Sequence, residues 1–138
     1  MPELTEASKH VMIEETKNGL NIEVVDQNGR SMFPEGSKEP YDRTRRLIER
    51  LAAPLKSMPF RVSITGHTSA SKLPAQPGYG PWELSADRAN SARRAMQDSG
   101  LRPDQIDTVR GYADRRPRIA DDPLDARNRR ISIVVRNS

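Results

Sequence analysis

Pro81-Trp82-Glu83-Leu84-Ser85-Ala86-Asp87-Arg88-Ala89-Asn90-Ser91-Ala92-Arg93-Arg94-Ala95-Met96 is the stretch of this 138-residue chain that decides its fold. Pro81 suits the first turn of a helix, and Gly100 supplies a stop. Ser85, Ala89, Ala92 and Met96 recur at helical spacing and so share one face. That face is built mostly of small residues, which lets the helix lie close to a sheet. Strands flank it on both sides. Upstream, Val62 and Ile64 alternate with Arg61 and Ser63 and run into Gly66. Downstream, Ile106 to Tyr112 reads as a weaker strand, and Ile131, Ile133 and Val135 mark a last alternating one.

Further toward the N-terminus, Val11, Ile13, Leu20, Ile22 and Val24 alternate with polar neighbours, and Asn18-Gly19 separates the two runs. This predicts a hairpin with strands at 10–16 and 20–26. Residues 1–9 read as a frayed or helical lead-in, and Asn28-Gly29 as a second turn. Leu47, Ile48, Leu51, Ala52 and Leu55 predict a helix over 40–57, with a kink or early end at Pro54. Residues 68–80 and 113–127 read as long loops. The order is hairpin, helix, strand, helix, strand, strand. It implies an α/β two-layer sandwich, with helices packed on one face of a mixed sheet. Nothing divides the chain, so residues 10–138 are expected to form one domain.

Composition narrows the chemistry. There is no cysteine, which removes disulfides, thiolate metal sites and thiol catalysis. The two histidines, His10 and His67, lie far apart, and no metal or other cofactor is expected. The six aromatics are too few for a stacking platform. No apolar run approaches the roughly 18 residues that cross a membrane. The 23 bases and 19 acids give a net charge of +4, all of it in the second half, and 18 of the bases are arginine. The bases are interleaved with acids instead of forming a stripe, which argues against nucleic acid.

Two segments look unlike scaffolding. Thr65-Gly66-His67-Thr68-Ser69 delivers small polar residues from a strand end into a loop, and the stretch quoted first opens a helix beyond that loop. Ligands of open α/β sheets favour such strand-end loops, and helix N-termini favour anions. Arg88 is placed to pack its stem on apolar surface while its head reaches back toward the loop at 68–80. Its plainer reading is an ion pair with Asp87 or Asp114. Thr68 and Asn128 can equally hold their loops by local hydrogen bonds, and Trp82 reads as a core anchor. Of the adjacent Arg129 and Arg130, only one can face a given site, leaving the other solvated. A small hydrolase using His67 and Ser69 is the outlying reading, without a Gly-x-Ser-x-Gly elbow.

These motifs resemble the OmpA-like peptidoglycan-binding domain. The family pattern is a Gly-His-Thr-Asp strand end, then Asn-x-x-Leu-Ser-x-x-Arg-Ala on a helix, then Asn-Arg-Arg before the last strand. Here those positions read Gly66-His67-Thr68-Ser69, Pro81-x-x-Leu84-Ser85-x-x-Arg88-Ala89 and Asn128-Arg129-Arg130. Tyr79 to Asn90 and Ser31 to Ser37 look like the MotB branch, the periplasmic part of flagellar motor stators. The resemblance implies an OmpA-like sandwich that grips the wall stem peptide without catalysis. It places Arg88, Thr68, Ser69, Leu84 and Asn128 at the ligand. Arg88 would pair with a carboxylate of diaminopimelate, and the motif aspartate would hold its amino group. It further implies a periplasmic location, a homodimer, an upstream membrane helix in a longer inner-membrane protein, and a MotA-type channel partner. A tether of the Pal kind, with no motor role, is the alternative within the family.

This sequence departs from the pattern twice, with Ser69 for the aspartate and Pro81 for the asparagine. Losing a charge-assisted contact costs about 1.5–3 kcal/mol, roughly ten- to a hundredfold in affinity. Wall binding is therefore expected to be weaker or differently satisfied, with Asp114, Asp121, Asp122 and Asp125 as candidate substitutes for the absent carboxylate.

Overall fold

Alternation at the N-terminal end produces two antiparallel strands, β1 (Val11–Thr16) and β2 (Gly19–Val25), in a computed structural model that describes residues 10–27, 30–70 and 77–137. Thr16 pairs with Gly19, so the turn is Lys17-Asn18, one residue earlier than the Asn-Gly signal suggests. The lead-in at 1–9, the Asn28-Gly29 turn and part of the loop after Ser69 lie outside the described residues.

The helical pattern at 40–57 forms α1 (Asp42–Ala52) and then tightens into a 3₁₀ turn, Ala53–Ser57. Pro54 has no N–H to continue the α ladder, and the tighter turn accommodates it. After β3 (Phe60–His67) comes α2 (Pro81–Asp98), then β4 (Ile106–Gly111) and β5 (Arg130–Asn137). The sheet order is β1-β2-β5-β3-β4; β3 and β4 run parallel, and the other pairs are antiparallel.

Ile22 and Val24, Val62 and Ile64, and Ile131, Ile133 and Val135 bury one face of this sheet against Ile48, Ala52, Ala89, Ala92 and Met96. The small-residue stripe works as its composition requires. A Cβ on Gly66 would fall 2.0 Å from the Ser85 carbonyl oxygen, and one on Gly111 2.4 Å from the Ala86 nitrogen. The first turns of α2 thus touch the C-terminal ends of β3 and β4, backbone to backbone. At the other end Gly100, with φ +115°, closes α2: Leu101 N–H donates to Met96 O and Gly100 N–H to Gln97 O. Trp82 stays half-exposed at 49% and is not the core anchor expected from its type.

Candidate functional site

Between β2 and α1 the chain has no regular structure from Ser31 to Pro40, yet it is closely held. Side chains of both helices donate to its carbonyls, which otherwise have no ladder to join. From α1, Arg43 donates to Ser31 O (2.6 Å) and Thr44 Oγ1 to Met32 O (2.7 Å). From α2, Arg88 Nε donates to Ser37 O (2.8 Å), Arg88 Nη2 to Pro34 O (3.2 Å) and Ser91 Oγ to Lys38 O (2.6 Å). This strap crosses over the β2 end of the helical layer, and Met32 and Phe33 drop from it into the core.

Arg88 is the centre of the arrangement. It is 6% exposed, and its guanidinium lies 4.6 Å from the centre of the Phe33 ring. Its head therefore goes to the strap, not back toward the loop after β3. The expected ion pairs do not form either: Asp87 accepts from Tyr79 Oη at 2.6 Å, and Asp114 faces Arg115 at 3.9 Å. Burial draws the Arg88 pKa down to about 10; nearby Asp26 opposes the fall and Arg129 adds to it. The group stays cationic at neutral pH.

A shallow cavity opens beside it, lined by Val24, Met32, Phe33 and Ile131 and by Asp26, His67, Arg88, Arg129 and Arg130, with free space for about one water-sized group. A ligand therefore meets it with a single small polar group at the rim. Asp26, 4% exposed, is its carboxylate: Oδ1 accepts from Met32 N–H (2.7 Å) and Oδ2 from Arg129 Nε–H (2.8 Å). Sequence reasoning passed over Asp26. The signal was there, as an acid directly after the apolar Val24-Val25 end of β2.

Arg129 also donates from Nη1 to Ser69 Oγ at 3.2 Å, tying the start of β5 to the loop after β3. Arg130 lines the cavity as well, so the expectation that only one of these adjacent arginines faces the site does not hold: Arg129 precedes β5 and is outside the alternation of the strand. Nor is Arg130 solvated: its side chain is 9% exposed, 3.6 Å from Glu23, and donates to Arg116 O (2.9 Å) and Asn128 O (3.1 Å).

Of the predicted site residues, Arg88 lines the cavity and Ser69 reaches it through Arg129. Thr68 is buried beside them, its N–H donating to Ala113 O and its Oγ1 without a partner among the described residues. Leu84 is half-buried on α2 and does not line the cavity. Asn128 is fully buried and spends its amide on a loop: Oδ1 accepts from Ile119 N–H (2.7 Å), and Nδ2 donates to Asp122 O (2.9 Å). It holds 119–122 in place and does not face the cavity. Asp114, Asp121, Asp122 and Asp125 do not line it either, and Asp125 is engaged with Arg127 at 2.8 Å.

His67 stacks on Tyr112 with ring centres 5.7 Å apart. Burial, then Arg130 and Arg116, push its pKa down to about 4, so it is neutral at neutral pH. Ser69 Oγ is engaged by Arg129, and no hydrogen bond joins it to His67 among the described residues. The pair lacks the nucleophile–base contact that a hydrolase site is built around.

Comparison with known proteins bears on this geometry. The model of the OmpA family matches residues 32–130, from the strap to the start of β5. Motility protein B of Escherichia coli K12 is 38% identical over 138 residues, which covers 99% of this chain and 44% of that protein. The chain thus spans less than half the length of that relative. Among solved structures, the periplasmic domain of Helicobacter pylori MotB superimposes with a TM-score of 0.78 at 18% identity, covering 96% of this chain and 83% of that one. The cell wall anchor of the type VI secretion system from Pseudomonas aeruginosa superimposes with a TM-score of 0.76 at 24% identity, covering 99% and 96%. At these identities the two structures speak for the mixed five-stranded, two-helix fold.

Proposed function

Because this chain belongs to the OmpA family, we propose that it is the periplasmic wall-binding domain of a flagellar stator protein. It holds a peptidoglycan stem peptide without catalysis, so that the stator has a fixed support against which to generate torque. In this reading the domain acts as a homodimer. A membrane helix elsewhere in the longer protein joins it to a MotA-type channel subunit. The 38% identity to motility protein B along nearly the whole chain favours a motor role over a plain envelope tether.

The observation that carries the reading is the cavity lined by three arginines, Arg88, Arg129 and the Glu23-paired Arg130, beside the strand-end loop that holds Ser69. A forked cation in a partly dry site is suited to a carboxylate, and a stem peptide offers several. The strap supports the same reading. By engaging Nε and Nη2 of Arg88, it fixes the plane of the guanidinium and leaves Nη1 without a strap contact among the described residues.

The test is co-sedimentation with purified sacculi, run on the folded domain with soluble stem peptide as competitor. The wild-type chain is expected to pellet with the sacculi and to be released by the peptide. Folded protein that stays in the supernatant would overturn the assignment.

A further inference from the structure

The charge around the cavity does not balance, and the imbalance defines the ligand. Arg88 and Arg129 bring two positive charges, and Asp26 brings one negative charge. Both Asp26 oxygens already accept hydrogen bonds, one from a backbone N–H and one from Arg129 itself. Arg130 is matched separately by Glu23. The sequence contains no acidic residue between His67 and Glu83, so that segment has no carboxylate to contribute. The acids that flank the neighbouring loop do not line the cavity.

The two arginines are not equally placed. Arg88 is closed in beneath the strap, whereas the Arg129 side chain is 32% exposed. The Nη1 of Arg129 rests on Ser69 Oγ, a neutral acceptor that an incoming anion displaces because an ion pair adds the attraction of the anion's own charge. An aspartate at this position would occupy Arg129 and at the same time offer a negative charge to an ammonium. Serine does neither.

We propose that this site recognises a carboxylate with no requirement for a neighbouring ammonium, Arg129 being the contact at the rim and Ser69 the residue that sets this specificity. The inference rests on the wall-binding reading and adds the ligand's chemical form. A stem-peptide carboxylate whose adjacent amine has been acylated, as happens at a cross-link, binds as well as one whose amine is free. An ammonium entering the cavity is opposed by the guanidinium groups that line it, and the one carboxylate there, Asp26, is already paired with Arg129.

The experiment compares meso-diaminopimelate with its N,N′-diacetyl derivative, in which neither end keeps a free amine, by NMR titration of the folded domain. For the wild type, the two dissociation constants are expected to agree within about threefold, with shifts at Arg129 and Ser69. Ser69→Asp, a change in a half-buried loop residue that leaves the core untouched, is expected to favour the free amine by about tenfold or more, the value of one charge-assisted contact. Arg129→Lys keeps a cation for Asp26 while removing the fork, and is expected to weaken both probes severalfold. A tenfold wild-type preference for the free amine would overturn the proposal, as would unchanged binding in Arg129→Lys. If sacculi retain the wild type but neither probe shifts this cavity, the specificity claim falls and wall binding stands. If sacculi do not retain it, wall binding itself falls.

Discussion

Replacing Arg88 with alanine tests whether the strap depends on that side chain. The substitution takes the side-chain donor from Ser37 O, about 1–3 kcal/mol, and one of two donors from Pro34 O, which keeps the Ser37 N–H. It also removes the guanidinium from the Phe33 ring, about 1 kcal/mol. Against this, the wild type bears the cost of a buried cation. A pKa lowered from 12.5 to about 10 corresponds to about 3 kcal/mol at neutral pH, which the variant recovers. The variant also loses two buried methylenes of the Arg88 stem, about 1.5 kcal/mol, so the losses exceed the gain by about 1.5 kcal/mol. Urea unfolding at pH 7 measures it as a lower midpoint at constant slope. Hydrogen exchange should quicken first at the Ser37 and Tyr41 amides, which donate within and beneath the strap. A midpoint unchanged within about half a kcal/mol, or raised, would refute the claim that Arg88 holds the strap. It also follows that loss of wall binding by Arg88→Ala is interpretable only where the variant remains folded.

Two further outcomes are expected. His67 has a folded pKa of about 4 against 6.5 in the open chain, so the unfolded state takes up the proton first. Its stabilising effect is complete above pH 6.5 and is lost as pH falls toward 4, by up to about 3 kcal/mol; a His67→Phe variant should flatten the urea midpoint over that window, and an unchanged pH slope would contradict the buried neutral imidazole. Gly66→Ala should destabilise by about 3 kcal/mol, the upper end for overpacking, because its Cβ meets backbone and not a yielding side chain; a thermal midpoint within a degree of wild type would show that α2 can lift off the sheet at little cost.

The order of elements and the packing stripe on α2 were legible because both rest on local periodicity. Ser85, Ala89, Ala92 and Met96 are all buried, as their spacing requires. What sequence could not supply was pairing across distance. Arg88 lies 51 and 54 residues from its two carbonyl partners, and Arg129 lies 103 from Asp26. No local rule joins such residues, so Arg88 was aimed at the wrong loop and Asp26 was overlooked. Asn128 was correctly suspected of binding its own loop, since its partners lie six and nine residues away. Trp82 misled through its residue type: position on the outward side of the helix start outweighed apolar area.

The place of β5 in the sheet has a consequence for how the molecule is assembled. It lies between β2 and β3, and the hairpin on one side shares no ladder with the β3–β4 pair on the other. During synthesis the residues of both halves emerge before β5, and until it follows no ladder of the sheet can join them. Only when Arg130 to Asn137 leaves the ribosome does a single strand zip the two edges shut. Arg129, directly before that strand, comes with it to Asp26 and Ser69, so the sheet and the charged end of the cavity are completed together.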